Sequence, residues 1–99
     1  MRITPQEAVA IRRITTEVAG AGARVSLFGS RTRDDLRGGD LDLLIELPES
    51  CADKLSMCLR VGARLQLLIG ERKIDVLVTD PESEETSLIR TARLEGIAL

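Results

Sequence analysis

The chain contains no histidine, tryptophan or tyrosine, and Phe28 is its single phenylalanine. Without histidine it cannot run Ser-His or Cys-His catalysis, and it cannot supply an imidazole metal ligand. Any metal would be bound by oxygen atoms, which favours Mg²⁺ or Mn²⁺ over Zn²⁺. The lack of aromatic side chains also leaves little to stack on a nucleobase. A hydrophobic core must therefore be built from aliphatic residues.

The balance of charges and the length of the apolar runs argue against further classes of protein. Fourteen basic against 16 acidic side chains give a formal net charge of −2, so direct nucleic-acid binding is not expected. No apolar run has the length of a membrane span, and residues 1–7 lack a signal-peptide core. On one helix, Cys51 and Cys58 would lie about 10 Å apart, too far for a disulfide. They are interpreted as reduced thiols of a cytoplasmic protein with one domain, residues 1–99.

Helix and strand signals alternate in the order α-β-β-α-β-α. The first helix begins with a capping box at Thr4 to Glu7 and ends at Gly20. The other predicted elements are strands 24–28, 40–47 and 73–79, helices 50–69 and 82–95, and a short final strand 97–99. The sequence therefore predicts an α/β (α+β) fold, a small mixed β-sheet with flanking helices.

Acidic side chains open two of the predicted strands. Asp40 and Asp42 are two residues apart in an alternating run, so they share one face of a strand. Adjacent carboxylates repel each other unless water or a cation separates them. Asp75 offers a third carboxylate at the start of the next strand, and the turn Gly29-Ser30 ends the strand before. Together these residues are a workable site for Mg²⁺ and a triphosphate.

Convergence of these groups determines the expected topology. The three acids meet only if strands 40–47 and 73–79 run parallel, with helix 50–69 as the crossover between them. Ser30 ends its strand, so strand 24–28 must run antiparallel to the other two. The expected result is a mixed sheet with the site at one edge.

Each motif alone has an ordinary structural interpretation. A lone Asp-x-Asp on a strand is usually a solvated face, Gly-Ser is common turn chemistry, and Asp75 could be the polar side of an edge strand. The combination is different. Gly-Ser after a strand, nine intervening residues, Asp-x-Asp opening a second strand, a helix and a third strand opened by Asp is rare by chance.

This pattern resembles the nucleotidyltransferase superfamily typified by DNA polymerase β. It is most similar to the minimal nucleotidyltransferase group, small domains often paired with a HEPN-domain protein. The resemblance runs over residues 24–79, and residues 90–96 are similar to that group's closing helix. It implies the nucleotidyltransferase fold and gives each motif a role. By resemblance, Gly29 and Ser30 hold phosphate, Asp40 and Asp42 bind metal, and Asp75 is the third acid.

Some features depart from the group or extend it. Gly39 stands where a serine is frequent, and the final strand lacks a tyrosine that many members carry; neither change removes a metal ligand. Arg31 and Arg33 could neutralise a pyrophosphate leaving group, with a solvated loop as the alternative. Two metal ions about 3.5–4 Å apart could stabilise the attacking and leaving oxygens.

The resemblance implies transfer of a nucleotidyl group, AMP from ATP, to a hydroxyl acceptor with Mg²⁺ or Mn²⁺. The acceptor would belong to a HEPN toxin, which makes this chain its antitoxin, and an oligomer is compatible with that role. The alternative is a catalytically inactive module of the same fold that neutralises or scaffolds its partner by contact. Transfer to a small molecule is disfavoured, because the aminoglycoside-modifying relatives hold their acceptor with an added domain.

Overall fold

A computed structural model of the chain describes residues 3–28, 41–70 and 73–99. Its elements follow the predicted order, and the short final strand is present as well. In chain order they are α1 (Pro5–Ala19), β1 (Arg24–Phe28), β2 (Leu41–Glu46), α2 (Lys54–Ile69), β3 (Ile74–Thr79), α3 (Ser87–Glu95) and β4 (Ile97–Ala98).

Within the described residues the strands form one mixed sheet in the order β3-β2-β1-β4. β2 and β3 run parallel, joined by the crossover helix α2, while β1 runs antiparallel to both β2 and β4. This confirms the predicted α+β architecture and the strand directions that were inferred from the acidic residues.

Helix starts follow their capping residues. At α1 the predicted capping box is confirmed: Thr4 Oγ1 accepts from the Glu7 amide at 3.1 Å, and Glu7 Oε1 accepts from the Thr4 amide at 2.8 Å. α2 was predicted to begin at residue 50 but begins at Lys54. The reason is that Asp53 is its N-cap and accepts a hydrogen bond from the Ser56 amide at 2.9 Å.

The predicted start of α3 at residue 82 was also wrong. Thr86 caps this helix by accepting from the Ile89 amide at 3.2 Å, so the acidic residues before it are not its first turn. The turn at 81–83 is held instead by Asp80. Once formed, α3 is fixed over the sheet by Arg93, whose Nε donates to Glu46 Oε1 at 2.8 Å.

The Asp80 carboxylate joins the end of β3 to the segment before α2. Its Oδ2 accepts from the Cys51 amide at 2.8 Å and from Lys54 Nζ at 3.2 Å. Its Oδ1 accepts from the Glu82 amide and from Ser83 Oγ, both at 3.0 Å. The Cys51 amide, with smaller contributions from the other donors, holds the pKa of Asp80 well below its ordinary value despite burial. The position of α2 beside β3 is therefore set by a satisfied buried ion.

The core is aliphatic and lies on both faces of the sheet. The larger part lies under α1 and α2 and includes Leu27, Leu43, Val61 and Leu65, all fully buried. The smaller part lies under α3, where Phe28, Leu44 and Ala92 pack together with Leu77. β2 is covered on both faces, which fits its nearly continuous run of apolar residues.

Both cysteines are free thiols that are partly buried. Cys58 lies in α2, but Cys51 precedes that helix, so the expectation that one helix carries both was wrong. Burial raises the pKa of the Cys58 thiol, against the opposing effect of a hydrogen bond with the Val78 backbone. Across the described residues, every helix is too short or too polar to cross a bilayer.

Candidate active site

Three strands place Phe28, Asp42 and Asp75 in a single row across the sheet. Phe28 is the register partner of Asp42 in the antiparallel pair, and Asp42 is the register partner of Asp75 in the parallel pair. Register partners on neighbouring strands share a face and lie about 4.8 Å apart. The two carboxylates therefore belong to the face that α3 covers, at the end of the sheet where β1 finishes and β2 and β3 begin.

A cavity of about 470 Å³ opens over this row, within the size range of small-molecule sites. Asp42 and Asp75 are its two carboxylates among the described residues. Phe28, Leu77 and the exposed side chain of Leu88 contribute apolar walls. The arrangement offers a charged end and an apolar wall in one cleft, which suits a ligand with an anionic part and an apolar or aromatic part.

A second cavity, of about 450 Å³, lies at the opposite end of β1 and β2. Its lining includes Arg12, Arg24, Glu46 and Arg93. Its described lining residues include one carboxylate, Glu46, and not a pair, so they do not offer the oxygen ligands that the sequence pattern predicts. The row of Asp42 and Asp75 is therefore the candidate active site.

The donor chemistry of the row fits a hard divalent cation. Asp42 is half-buried and Asp75 is exposed, and carboxylate oxygens are the ligands that Mg²⁺ and Mn²⁺ prefer. In the part of the chain that the structure describes, no group of three acidic, cysteine or histidine residues is close enough to hold a metal. Asp40, the third predicted ligand, lies outside that part.

Five of the predicted site residues fall outside the described residues, and their roles stay predictions. They are Gly29, Ser30, Arg31, Arg33 and Asp40. The chain enters this segment after Phe28 and leaves it at Leu41, and both of these residues lie at the end of the sheet that carries the row.

Sequence reasoning did not identify Phe28 and Leu88 as walls of the site. For Phe28 a signal existed, because it directly precedes the Gly29-Ser30 turn. For Leu88 there was none, because a helix starting at residue 82 puts Leu88 in its second turn with no special position. The actual start at Ser87 places Leu88 in the first turn, beside the row.

Residues 10–98 match the family described as the nucleotidyltransferase domain. The chain belongs to this family. The match spans the row, the cavity and all four strands, so the resemblance inferred from the motifs is confirmed. No curated protein sequence matches the chain.

Several solved structures share the fold. One is a crystal structure of a toxin–antitoxin with AMP-PNP, which aligns with 92% of this chain and 70% of its own at 16% identity and a TM-score of 0.70. A second is the toxin–antitoxin MntA-HepT, with coverage of 96% and 70%, 14% identity and a TM-score of 0.68. A third is a mutant of that kind of complex with two Asp-to-Glu changes, with coverage of 92% and 70%, 14% identity and a TM-score of 0.70. At these identities the likeness is one of fold.

Proposed function

We propose that this chain transfers AMP from ATP to a hydroxyl group of a HEPN-domain protein, with Mg²⁺ or Mn²⁺, and so acts as the antitoxin of that protein. The observation that carries the proposal is the row of Asp42 and Asp75 facing a cavity, in a chain of the nucleotidyltransferase family. The similar folds found in toxin–antitoxin complexes, one of them with AMP-PNP, support the choice of nucleotide and partner.

Asp40, Asp42 and Asp75 would hold the divalent cation. Such a cation neutralises triphosphate charge that would otherwise be repelled by the carboxylates. The backbone amides at Gly29 and Ser30, with the Ser30 hydroxyl, would bind phosphate oxygens.

In the reaction the acceptor oxygen forms a bond to the α-phosphorus, and the bond from that phosphorus to the bridging oxygen breaks. Pyrophosphate leaves, neutralised by Arg31 and Arg33. Asp75 would either hold a second cation or accept the proton from the attacking hydroxyl, because its exposed carboxylate can reach both the acceptor and solvent.

The apolar walls of the cavity have a role in binding. Phe28 and Leu88 would contact the nucleoside, while the carboxylate row orients the phosphates. Phe28 is 8% exposed and Leu88 is 55% exposed, so Leu88 has more surface to give to a ligand. The chain has no tyrosine, so a tyrosyl acceptor would have to come from the partner.

The test uses the chain purified together with a HEPN-domain protein, taken from the adjacent gene where that gene encodes one. ATP labelled at the α-phosphate is added with Mg²⁺, and label transfer and the intact masses of both proteins are measured. We expect the mass of the partner to increase by added AMP, no transfer in EDTA, and loss of transfer in Asp42→Asn and Asp75→Asn. Glu49→Gln is the control, since Glu49 is an exposed carboxylate beyond the far end of β2.

The same experiment, with the toxicity of the partner measured beside it, distinguishes the enzyme from the inactive binding module. If the partner stays unmodified with ATP and Mg²⁺ but is still neutralised by the wild-type chain, the chemistry proposed here is wrong. If the double variant Asp40→Asn/Asp42→Asn labels the partner at the wild-type rate, the assignment of the site is wrong.

A further inference from the structure

An apolar groove runs between α2 and the outer side of β3. It measures about 430 Å³ and is called here the α2–β3 groove. Its wall on α2 is a stripe at helical spacing, and its wall on β3 is aliphatic. The residues that line it include Leu55, Leu59, Gly62 and Gln66 of α2 with Ile74 and Val76 of β3.

The stripe on α2 is unusual in its exposure. Leu55 and Leu59 are 70% and 65% exposed, while Val61 and Leu65, on a different side of the helix, are fully buried in the core. α2 therefore presents two apolar faces, and only one of them is covered by the described residues. An uncovered apolar face beside a cavity is typical of a binding surface.

The β3 wall adds backbone groups to this surface. β3 lies at the edge of the sheet, and among the described strands only β2 pairs with it. The Lys73 carbonyl accepts from the Leu41 amide at 2.8 Å, and the Thr79 carbonyl accepts from the amide of Leu47, directly after β2, at 2.9 Å. The peptide groups of alternate residues from 73 to 79 therefore point towards β2. The peptide groups of Ile74 and Val76 therefore point outward, along the groove, as at an edge that can accept another strand.

Asp75 connects the groove with the candidate active site. It lines both the α2–β3 groove and the cavity over the carboxylate row. Among the described residues it is also the one charged residue that lines the groove. A strand added to the outer edge of β3 would lie beside Asp75, and its residues on the face that α3 covers would lie next to the carboxylate where the proposed function places the acceptor hydroxyl.

We propose that the α2–β3 groove binds an extended, mainly apolar segment of the acceptor protein. This segment adds a strand to the outer edge of β3 and presents its hydroxyl at Asp75. This inference rests on the proposed function, and it describes how the chain would hold its protein substrate. A carboxylate at the mouth of the groove favours an uncharged or basic segment over an acidic one.

A second copy of this chain is a poorer occupant. A two-fold pairing of two β3 edges about Val76 would put both Asp75 residues on one face, at diagonal positions about 7–8 Å apart. Like charges at that separation disfavour the pairing, and both sites would be closed to an acceptor. An acceptor segment brings no such charge.

The first test variant is Gly62→Leu. A Cβ built at Gly62 meets no atom within 4 Å, and Gly62 lines the groove, so a leucine there should project into the groove. Leu59→Gln makes the groove polar, and its matched control is Leu67→Gln on the same helix, where Leu67 is 87% exposed and does not line the groove. The acceptor is the HEPN-domain protein of the previous section, with Mg²⁺ and ATP.

We expect Gly62→Leu and Leu59→Gln to raise the KM for the acceptor at least tenfold, with kcat and ATP affinity unchanged. Leu67→Gln should keep the wild-type KM. Hydrogen exchange followed by NMR gives a second readout. Acceptor binding should slow the amides of Ile74 and Val76, while those of Asp75 and Leu77 are already protected by the ladder to β2.

A wild-type KM in Gly62→Leu, or unchanged exchange at Ile74 and Val76 in the complex, overturns the inference even if AMP transfer proceeds. Formation of β3-paired dimers by the free chain in size exclusion also counts against it. A different result separates the two proposals. If the acceptor protects Ile74 and Val76 but receives no AMP, the docking surface stands and the proposed chemistry fails.

Discussion

Replacement of Asp75 by asparagine should stabilise the metal-free protein, because Asp75 and Asp42 are register partners with like charge. Register partners on neighbouring strands lie about 5 Å apart. At that distance two unit charges repel by about 0.8 kcal/mol in water and by about 3 kcal/mol at an effective dielectric constant of 20. Asp75 is exposed, so the lower value applies. Asp75→Asn should therefore raise the free energy of unfolding by about 0.8 kcal/mol in EDTA, which corresponds to a Tm increase of a few degrees for a domain of this size.

When Mg²⁺ is added, the wild-type chain should become more stable than Asp75→Asn. A cation that binds only the folded wild-type chain stabilises it by RT ln(1 + [Mg²⁺]/Kd), and the variant loses that gain with its ligand. The assay is urea unfolding at pH 7 and low salt, with EDTA or with Mg²⁺, and Glu49→Gln as the charge-matched control. High salt should shrink the difference in EDTA, because exposed charges are screened.

Two results would refute this reasoning. If Asp75→Asn in EDTA is less stable than wild type by more than about 1 kcal/mol, the carboxylate has a stabilising partner and is not held against a like charge. If Mg²⁺ stabilises wild type and variant equally, Asp75 is not a ligand of the cation.

Three further predictions follow from other contacts. The pKa of Asp80 is lowered in the folded protein, so the stabilisation by its carboxylate is complete above the unfolded pKa of about 3.9 and is lost as pH falls towards the folded value. Asp80→Asn should therefore flatten the decline of the unfolding free energy below about pH 4 in acid titrations. An unchanged slope would contradict the assignment. Leu88→Ala should weaken Mg²⁺-ATP binding about fivefold in calorimetry, from a loss of about 1 kcal/mol of apolar contact, and equal affinity would place the nucleoside elsewhere. Thr4→Ala removes the cap of α1 and should cost about 1 kcal/mol in urea unfolding, with no change in AMP transfer.

The topology of the site was predictable because chemistry restricts it. Carboxylates at the starts of two strands can meet only if those strands are parallel, and β2 and β3 are parallel. The alternation from Asp40 to Asp42 indicated which residues share a face, and Asp42 does face the cavity. Local signals at Thr4 and Gly20 likewise predicted both ends of α1 correctly.

The starts of α2 and α3 were predicted too early, because the residues before each helix resemble a first turn and the N-caps Asp53 and Thr86 were not recognised. The contact that organises both regions is the hydrogen bond from the Cys51 amide to Asp80, which joins positions 29 residues apart. In the sequence, Asp80-Pro81 indicates only the end of a strand, and the acids after it resemble a first helical turn. Local hydrogen bonds from the Glu82 amide and Ser83 Oγ to Asp80 form a turn there instead, and Thr86 caps α3, so α3 begins later and Leu88 lies at the site.

The position of the two carboxylates is determined by residues on the opposite face of the sheet. A slip of one residue between β3 and β2 would move Asp75 to the face that α2 covers, and would turn Val76 into the cavity. Val76 and Val78 pack against the core under α1 and α2, and Asp80 anchors the end of the strand to the segment before α2. The slipped register would bury a carboxylate and expose apolar surface, which costs free energy twice. The apolar side of β3 thus holds Asp75 in register with Asp42 on the other face of the sheet.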